Sequence, residues 1–160
     1  MTDLADRIRL ARTDGVGPVT YRRLLREYPS AAAAIDALPA LARGAGRATP
    51  PRIPSVSDTA REMDRVAKIG GRMLVLGGPD YPPLLAMLTI APPVLTVMGD
   101  VTVFASRAVA LVGARNASAP GQRMAEALSA ELAAAGLIVV SGLARGIDTG
   151  AHTGALHTGR

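Results

Sequence analysis

Cysteine is absent from the chain, which removes disulfides, thiolate metal sites and a cysteine nucleophile at one stroke. Tryptophan is absent as well, and one Phe and three Tyr make up the whole aromatic complement. Leu, Val, Ile, Ala and Met must then fill the core, and too few flat rings remain for a base-stacking platform. Lysine is nearly missing: Lys68 is the only one, so the remaining positive charge is arginine. Lys and Arg total 18 against 13 Asp and Glu, a net +5. Arginine suits bidentate contacts to phosphate, although an Arg- and Ala-heavy composition also fits simple coding bias. No uninterrupted hydrophobic run is long enough to cross a membrane. The uncharged segment between Asp80 and Asp100 is broken by Pro82, Pro83, Pro92 and Pro93, which interrupt any continuous helix, and it is read as buried core. The amino terminus carries charge at once and lacks an apolar signal region. A soluble cytoplasmic protein is expected.

What is present divides the chain in two. Across 1–56 the pattern is helical, with Leu4, Ile8 and Leu10 on one apolar face, a break at Asp14-Gly15-Val16-Gly17-Pro18, and resumption with Leu24 and Leu25 inward. Ser30 caps an Ala-rich helix predicted to reach about Leu38, and Arg43 to Pro54 reads as a connector. From 57 onward, Ser57 caps a helix presenting Ala60, Met63, Val66 and Ile69 and ended by Gly70-Gly71. Short apolar runs then follow at Met73–Leu76, Val94–Met98, Val109–Val112 and Leu137–Val140. Near-continuous runs of this kind suit strands covered on both faces, hence a parallel sheet. Between the last two, Ser118 caps a helix with Pro120 in its first turn and Gly136 past its end. Its predicted buried stripe is Met124, Leu128, Leu132 and Ala135. The fold class expected is α/β: an incomplete Rossmann-like, doubly wound sheet over 57–160, preceded by a small helical domain over 1–56. Such a sheet ordinarily has more strands than these, so its remainder is expected elsewhere.

The chemistry concentrates in two turns. Gly113-Ala114-Arg115-Asn116-Ala117-Ser118 follows the third run, and Ser141-Gly142-Leu143-Ala144-Arg145-Gly146-Ile147-Asp148 follows the fourth. Neighbouring parallel strands would bring both turns to the carboxyl edge of the sheet, where helix amino termini offer unpaired N–H groups to anions. Gly113, Gly142 and Gly146 allow close backbone approach, Ser118 and Ser141 supply hydroxyl donors, and Arg115 and Arg145 clamp phosphate oxygens. Asp148 reads as the cap of the next helix.

Several enzyme signatures are missing. Arg115 stands where the dinucleotide fingerprint G-x-G-x-x-G needs its second glycine, and no GxxxxGK(S/T) occurs. Ser141 lacks the G-x-S-x-G elbow. His152 and His157 are five residues apart, unsuited to joint metal ligation on one helical face, and both read as helix-surface residues. No catalytic residue, metal or cofactor is assigned.

Leu111-Val112-Gly113-Ala114-Arg115-Asn116-Ala117-Ser118 with Gly121, then Val140-Ser141-Gly142-Leu143-Ala144-Arg145-Gly146-Ile147-Asp148 with Ala151-His152, resembles the DNA-processing protein A family (DprA, also called Smf). The family pattern is roughly VGSR-x-x-S-x-x-G followed by SGLA-(R/K)-GID-x-x-AH. Ala114 replaces its usual serine, and Ala119-Pro120 also depart from it. Tyr81-Pro82-Pro83-Leu84, Pro93-Val94-Leu95 and Gly99-Asp100 resemble the family's lead-in. The resemblance implies an extended Rossmann fold that binds single-stranded DNA and helps load the RecA recombinase, notably in natural transformation. It implies that Arg115 and Arg145 line the DNA pocket; with the turn residues read above, the expected DNA/phosphate-binding set is Gly113, Arg115, Ser118, Gly121, Ser141, Gly142, Ala144, Arg145 and Gly146, and the missing catalytic pairings lead to no expectation of an enzyme. It also implies a homodimer whose surface, like further DNA-contacting lysines and any winged-helix domain, lies beyond Arg160.

The hairpin Asp14–Pro18 is similar to the turn of a helix-hairpin-helix module. Its glycines read first as the means of a tight turn in a small SAM-like domain, and second, through Gly15 and Gly17 with Arg12, Arg22, Arg23 and Arg26 nearby, as a DNA phosphate contact. Two other functions compete with DNA binding: a nucleoside-phosphate hydrolase of the lysine-decarboxylase-like group, whose PGGxGT-x-x-E motif is lacking, and a structural fragment that binds nothing alone.

Overall fold

Small residues, caps and one proline decide where the first helices begin and end. The structure is a computed structural model that describes residues 2–158. It divides into two compact units, Met1–Val101 and Thr102–Arg160. In the first, α1 (Thr2–Ala11) buries Ile8 and Leu10 completely, and α2 (Pro18–Glu27) buries Tyr21 and Leu24. Pro18 opens α2 at a position where its missing N–H costs nothing. The third helix, α3 (Ala31–Gly44), starts where the Ser30 hydroxyl accepts the Ala33 amide at 3.1 Å. It runs past Pro39 instead of stopping near Leu38: Ala42 is buried in line with Ile35 and Leu38, and that packing carries the helix through the proline. Part of the expected connector is therefore helical.

The next helix, α4 (Val56–Lys68), is capped by Ser55 rather than Ser57. Ser55 accepts the Asp58 amide at 3.0 Å while the Asp58 carboxylate accepts the Ser55 amide at 3.2 Å, a reciprocal capping box. The Ser55 hydroxyl also donates to the Asp58 carboxylate at 2.7 Å, and that bond and the one from the Ser55 amide, with the Arg61 guanidinium adding to them, hold the Asp58 carboxyl below its ordinary range. The buried face of α4 centres on Thr59, with Met63 and Val66 packed on Ile8, Met73 and Val75; Ala60 and Ile69 are exposed.

A further departure concerns strand direction. The strands β1 (Gly71–Val75) and β2 (Val94–Met98) pair antiparallel, with Gly71 opposite Met98 and Val75 opposite Val94. Burial along β2 alternates at its end, Thr96 and Met98 being exposed and Val97 not, as expected of a strand with one solvated face. Between them lies a single helical turn, α5 (Pro83–Ala86), and Tyr81, whose hydroxyl donates to the Pro92 carbonyl at 2.7 Å. The uncharged segment is not wholly core. Leu84, Met87, Leu88 and Ile90 are exposed. No helix among the described residues is long and apolar enough to cross a membrane.

The second unit is the start of a parallel α/β sheet. After a 3-10 turn (Val101–Ala105), β3 (Ala108–Ala110) lies parallel to β4 (Ile138–Val140), with Val109 opposite Val139. Helix α6 (Ala119–Ala134) connects them and α7 (Ile147–His157) follows. The buried face of α6 is Ala125, Ser129 and Ala133, while Met124 and Leu128 are exposed. Glycines on α7 explain the difference from the predicted stripe. A Cβ on Gly150 would lie 2.7 Å from the Gln122 carbonyl oxygen, and one on Gly154 3.0 Å from the Ala130 amide. The helices meet backbone to backbone, so only small residues fit between them. Ser129, fully buried, donates its hydroxyl to the Ala151 carbonyl across that seam.

Candidate nucleic-acid interface

Both arginine-bearing turns leave the same edge of one parallel strand pair. Past the three-residue ladder, the Leu111 amide donates to the Val140 carbonyl at 2.9 Å, and the Ser141 hydroxyl donates to the Leu111 carbonyl at 2.7 Å. Further on, the Ile147 amide donates to the Ala114 carbonyl at 3.2 Å. A Cβ on Gly146 would stand 2.8 Å from the Arg115 carbonyl oxygen, and Gly146 has φ +83°. Glycine is required there twice over, by conformation and by space. The residue after Arg145 thus packs on the backbone of Arg115. The turns form one continuous piece of surface.

Each candidate residue has a defined place on it. Gly113 faces Ile147, whose Cβ would be 2.8 Å from an added Cβ, so Ile147 wedges the first turn against the start of α7. Ser118 caps α6 by accepting the Gly121 amide at 3.3 Å, which leaves its own proton available. Ser141 differs: its proton is committed to Leu111, so it fastens the turns together and is not a free donor. Gly142 lies under the Asp148 carboxylate, 2.8 Å from where a Cβ would be. Asp148 is buried and accepts the Ala144 amide at 3.4 Å. The cap of α7 is Gly146, and Asp148 sits one residue inside the helix, reaching back over the turn. Thr149 closes the same turn from outside by donating to the Ala144 carbonyl at 3.0 Å.

The remaining donors face outward. Arg115 and Arg145 are exposed, and neither makes a hydrogen bond or ion pair among the described residues. The amides of Gly113, Ala114, Arg115, Gly142 and Leu143 likewise meet no acceptor there. The amino-terminal ends of α6 and α7 add the positive ends of two helix dipoles. Arginines with unclaimed guanidinium groups, open amides and helix starts make a surface that attracts anions.

Two contributors escaped the sequence reading. Leu143 has φ +53° and is 82% exposed, a strained conformation for a branched residue held at the tip of the second turn. Its apolar type within a Gly-rich loop is the signal that was available. Ile147, named above only as part of the second turn, also seats Gly113. The histidines separate: His157 is exposed with Nδ1 3.6 Å from a Glu126 carboxylate oxygen, whereas His152 is half-buried with an unpaired Nε2, not a plain surface residue. No cluster of metal-ligating side chains occurs among the described residues.

Gly15 and Gly17 lie in the first unit. Gly15 has φ +81° and an added Cβ would meet Arg47 Nη1 at 2.8 Å; Gly17 caps α2 and has open space around it. Of the nearby arginines, Arg12 bonds Glu62 at 2.9 Å, Arg23 approaches Glu27 at 3.9 Å and Arg22 donates to the Ala86 and Leu88 carbonyls. Arg26 alone of the four has no partner among the described residues.

Comparison with known proteins matches this organisation. The sequence pattern of the family described as DNA recombination-mediator protein A matches residues 72–160, and that of the DprA-like N-terminal HHH domain matches residues 2–64. The DNA processing protein DprA of Bacillus subtilis is 32% identical over 107 residues, covering 66% of this chain and 34% of that protein. Protein Smf of Synechocystis is 30% identical over 169 residues, covering 91% of this chain and 39% of the relative. Protein Smf of Escherichia coli is 42% identical over 76 residues, covering 48% and 20%. The crystal structure of DprA from Streptococcus pneumoniae superposes with a TM-score of 0.57 at 30% identity, covering 66% of this chain and 35% of that one. The chain spans little more than a third of the length of the relatives it matches most fully. With a helix-hairpin-helix module ahead of the opening strands of a Rossmann-like sheet, the chain belongs to the DNA recombination-mediator protein A family, the DprA/Smf proteins.

Proposed function

We propose that the surface formed by the two turns binds the phosphate backbone of single-stranded DNA, without catalysis, as part of a protein that delivers DNA to the RecA recombinase. The observation that carries this reading is the backbone contact between the Arg115 and Gly146 turns, which puts two unpaired arginines on one patch. Gly113, Ser118, Gly121, Gly142, Ala144 and Gly146 shape the patch, Arg115 and Arg145 supply charge, and Ser141 holds the turns in register. Leu143 offers an apolar tip for a base edge. The names of the relatives, which speak of DNA processing and recombination mediation, support the same reading. The helical module over 1–56 and the Rossmann-like portion over 57–160 are taken as separate domains in this proposal.

A backbone-gripping surface recognises charge and not sequence. Titration of a fluorescent oligothymidylate and of a mixed-sequence oligonucleotide should give similar affinities, both falling steeply with salt. Binding that is indifferent to salt would remove the proposal. So would release of free base from a nucleoside monophosphate, which would reveal an enzyme.

A further inference from the structure

Leu143 is the only residue other than glycine with a positive φ, +53°, among the described residues. The start of α7 holds it there. The Asp148 carboxylate reaches back over Gly142 and accepts the Ala144 amide, while Thr149 donates to the Ala144 carbonyl. With the backbone tied down on either side, Leu143 is turned outward and is 82% exposed. Glycine would take this conformation freely, and the same turn uses glycine at Gly142 and Gly146. A large side chain kept under strain and in solvent adds nothing to the core, and such an outlier points to a contact outside the chain.

Val112 stands beside it. The parallel register sets Ala110 opposite Val140, and continuing that offset brings Val112 level with Gly142, next to Leu143. Val112 is 76% exposed. Two aliphatic side chains therefore crown the sheet edge, on turns that also carry the exposed Arg115 and Arg145. An inorganic anion would satisfy the guanidinium groups and the open amides but would leave these side chains in water. A ligand that suits the whole patch carries phosphate and a flat, weakly polar group on the same repeating unit. Duplex DNA keeps its base faces stacked inside; an unpaired strand offers phosphate and base together.

We infer that Leu143 is the specificity-determining residue of this patch. Held outward by Asp148 and Thr149, it lies with Val112 against an unstacked base, so that the surface selects a base-bearing single strand over other polyanions. The inference rests on the DNA reading of the same two turns and deepens it: the arginines attract any polyphosphate, and Leu143 sets the preference among them. With one Phe, three Tyr and no Trp in the chain, aliphatic contact takes the part that ring stacking has in other single-strand binders. Contact of this kind is indifferent to which base is present, in keeping with recognition that ignores sequence.

The test compares oligothymidylate with an abasic oligonucleotide of the same length and charge, both fluorescein-labelled and followed by anisotropy on the whole chain. The native chain should hold oligothymidylate about tenfold more tightly, the effect of covering one aliphatic side chain. Leu143→Gly should lose that preference while keeping the native affinity and salt slope for the abasic strand. Its melting temperature should stay close to the native one, because the strain that glycine relieves offsets the freedom it adds to the unfolded chain. Leu143→Met, still apolar, should retain the preference. Equal native affinities for the two strands, both steeply salt-dependent, would overturn this inference and leave the phosphate grip standing. So would a Leu143→Gly chain that keeps the preference, or one that weakens on both strands alike, which would make the residue a part of the fold only. Absence of binding to either strand would overturn both readings.

Discussion

Gly146→Ala probes the joint between the two turns with a single methyl group. Gly146 has φ +83° and ψ −123°, a region that side chains other than glycine's rarely adopt, and forcing alanine into it costs about 1–3 kcal/mol. The added Cβ would also stand 2.8 Å from the Arg115 carbonyl oxygen and 2.9 Å from its carbon, with the Ala114 carbonyl oxygen closer still. These are backbone atoms and cannot rotate aside. Overpacking of this kind costs a further ~1–3 kcal/mol. The sum, about 2–6 kcal/mol, is a large part of the ~5–15 kcal/mol that stabilises an ordinary domain. Urea unfolding followed by far-ultraviolet circular dichroism should show a correspondingly early transition, and the folded fraction should bind oligothymidylate poorly because the Arg115 turn is displaced. Gly121→Ala is the control: its Cβ would sit 3.4 Å from the Ser118 hydroxyl and 3.6 Å from Ile147 Cδ1, ordinary contacts that leave the turns in place. A Gly146→Ala protein within about 1 kcal/mol of native stability, with unchanged DNA affinity, would refute the reasoning.

Other expectations follow from the same geometry. Gly154→Ala should destabilise the second unit by at least ~1–3 kcal/mol in urea unfolding, because its Cβ meets the Glu126 and Ala130 backbone. Ser55→Ala should lower stability by ~1 kcal/mol through loss of the α4 cap, while Ser57→Ala should do little; melting temperatures distinguish them. The Asp58 carboxyl is lowered in the folded chain, so its contribution is present above the ordinary carboxylate range and lost as pH falls through the folded value. Asp58→Asn should flatten that acid limb. The Tyr21 hydroxyl is raised from 10.0 to about 12, so the folded state favours the neutral form; stability should fall as pH rises from about 10 to about 12, and Tyr21→Phe should abolish that part of the fall.

How legible each element was in the sequence depended on how local its cause is. Ser118, Pro120 and Gly136 mark the ends of α6 through interactions within a few residues, and both glycine-bearing turns were visible for the same reason. The cap of α4 went to Ser55 rather than Ser57 because Asp58 completes a box only with the former. The buried face of α6 could not be read from its own sequence. Hydrophobic side chains alone point to Met124 and Leu128, but the glycines of α7 draw Ala125, Ser129 and Ala133 inward. The antiparallel pairing of β1 with β2 was hidden likewise, since apolar content reports burial and not direction. Lack of charge across 81–99 suggests burial, whereas prolines and a single helical turn leave its middle on the surface.

A double-mutant cycle on Arg115 and Arg145 asks most directly whether the joined turns hold one stretch of DNA. Oligothymidylate affinity is measured against salt for the native chain, Arg115→Ala, Arg145→Ala and the double variant. Losing two phosphate contacts should reduce the slope of log affinity against log salt by about 1.4, and the single losses should be non-additive by ~0.5 kcal/mol or more, as for groups sharing one ligand. An unchanged slope in the double variant would contradict the joint grip, even if some DNA binding persisted elsewhere on the chain.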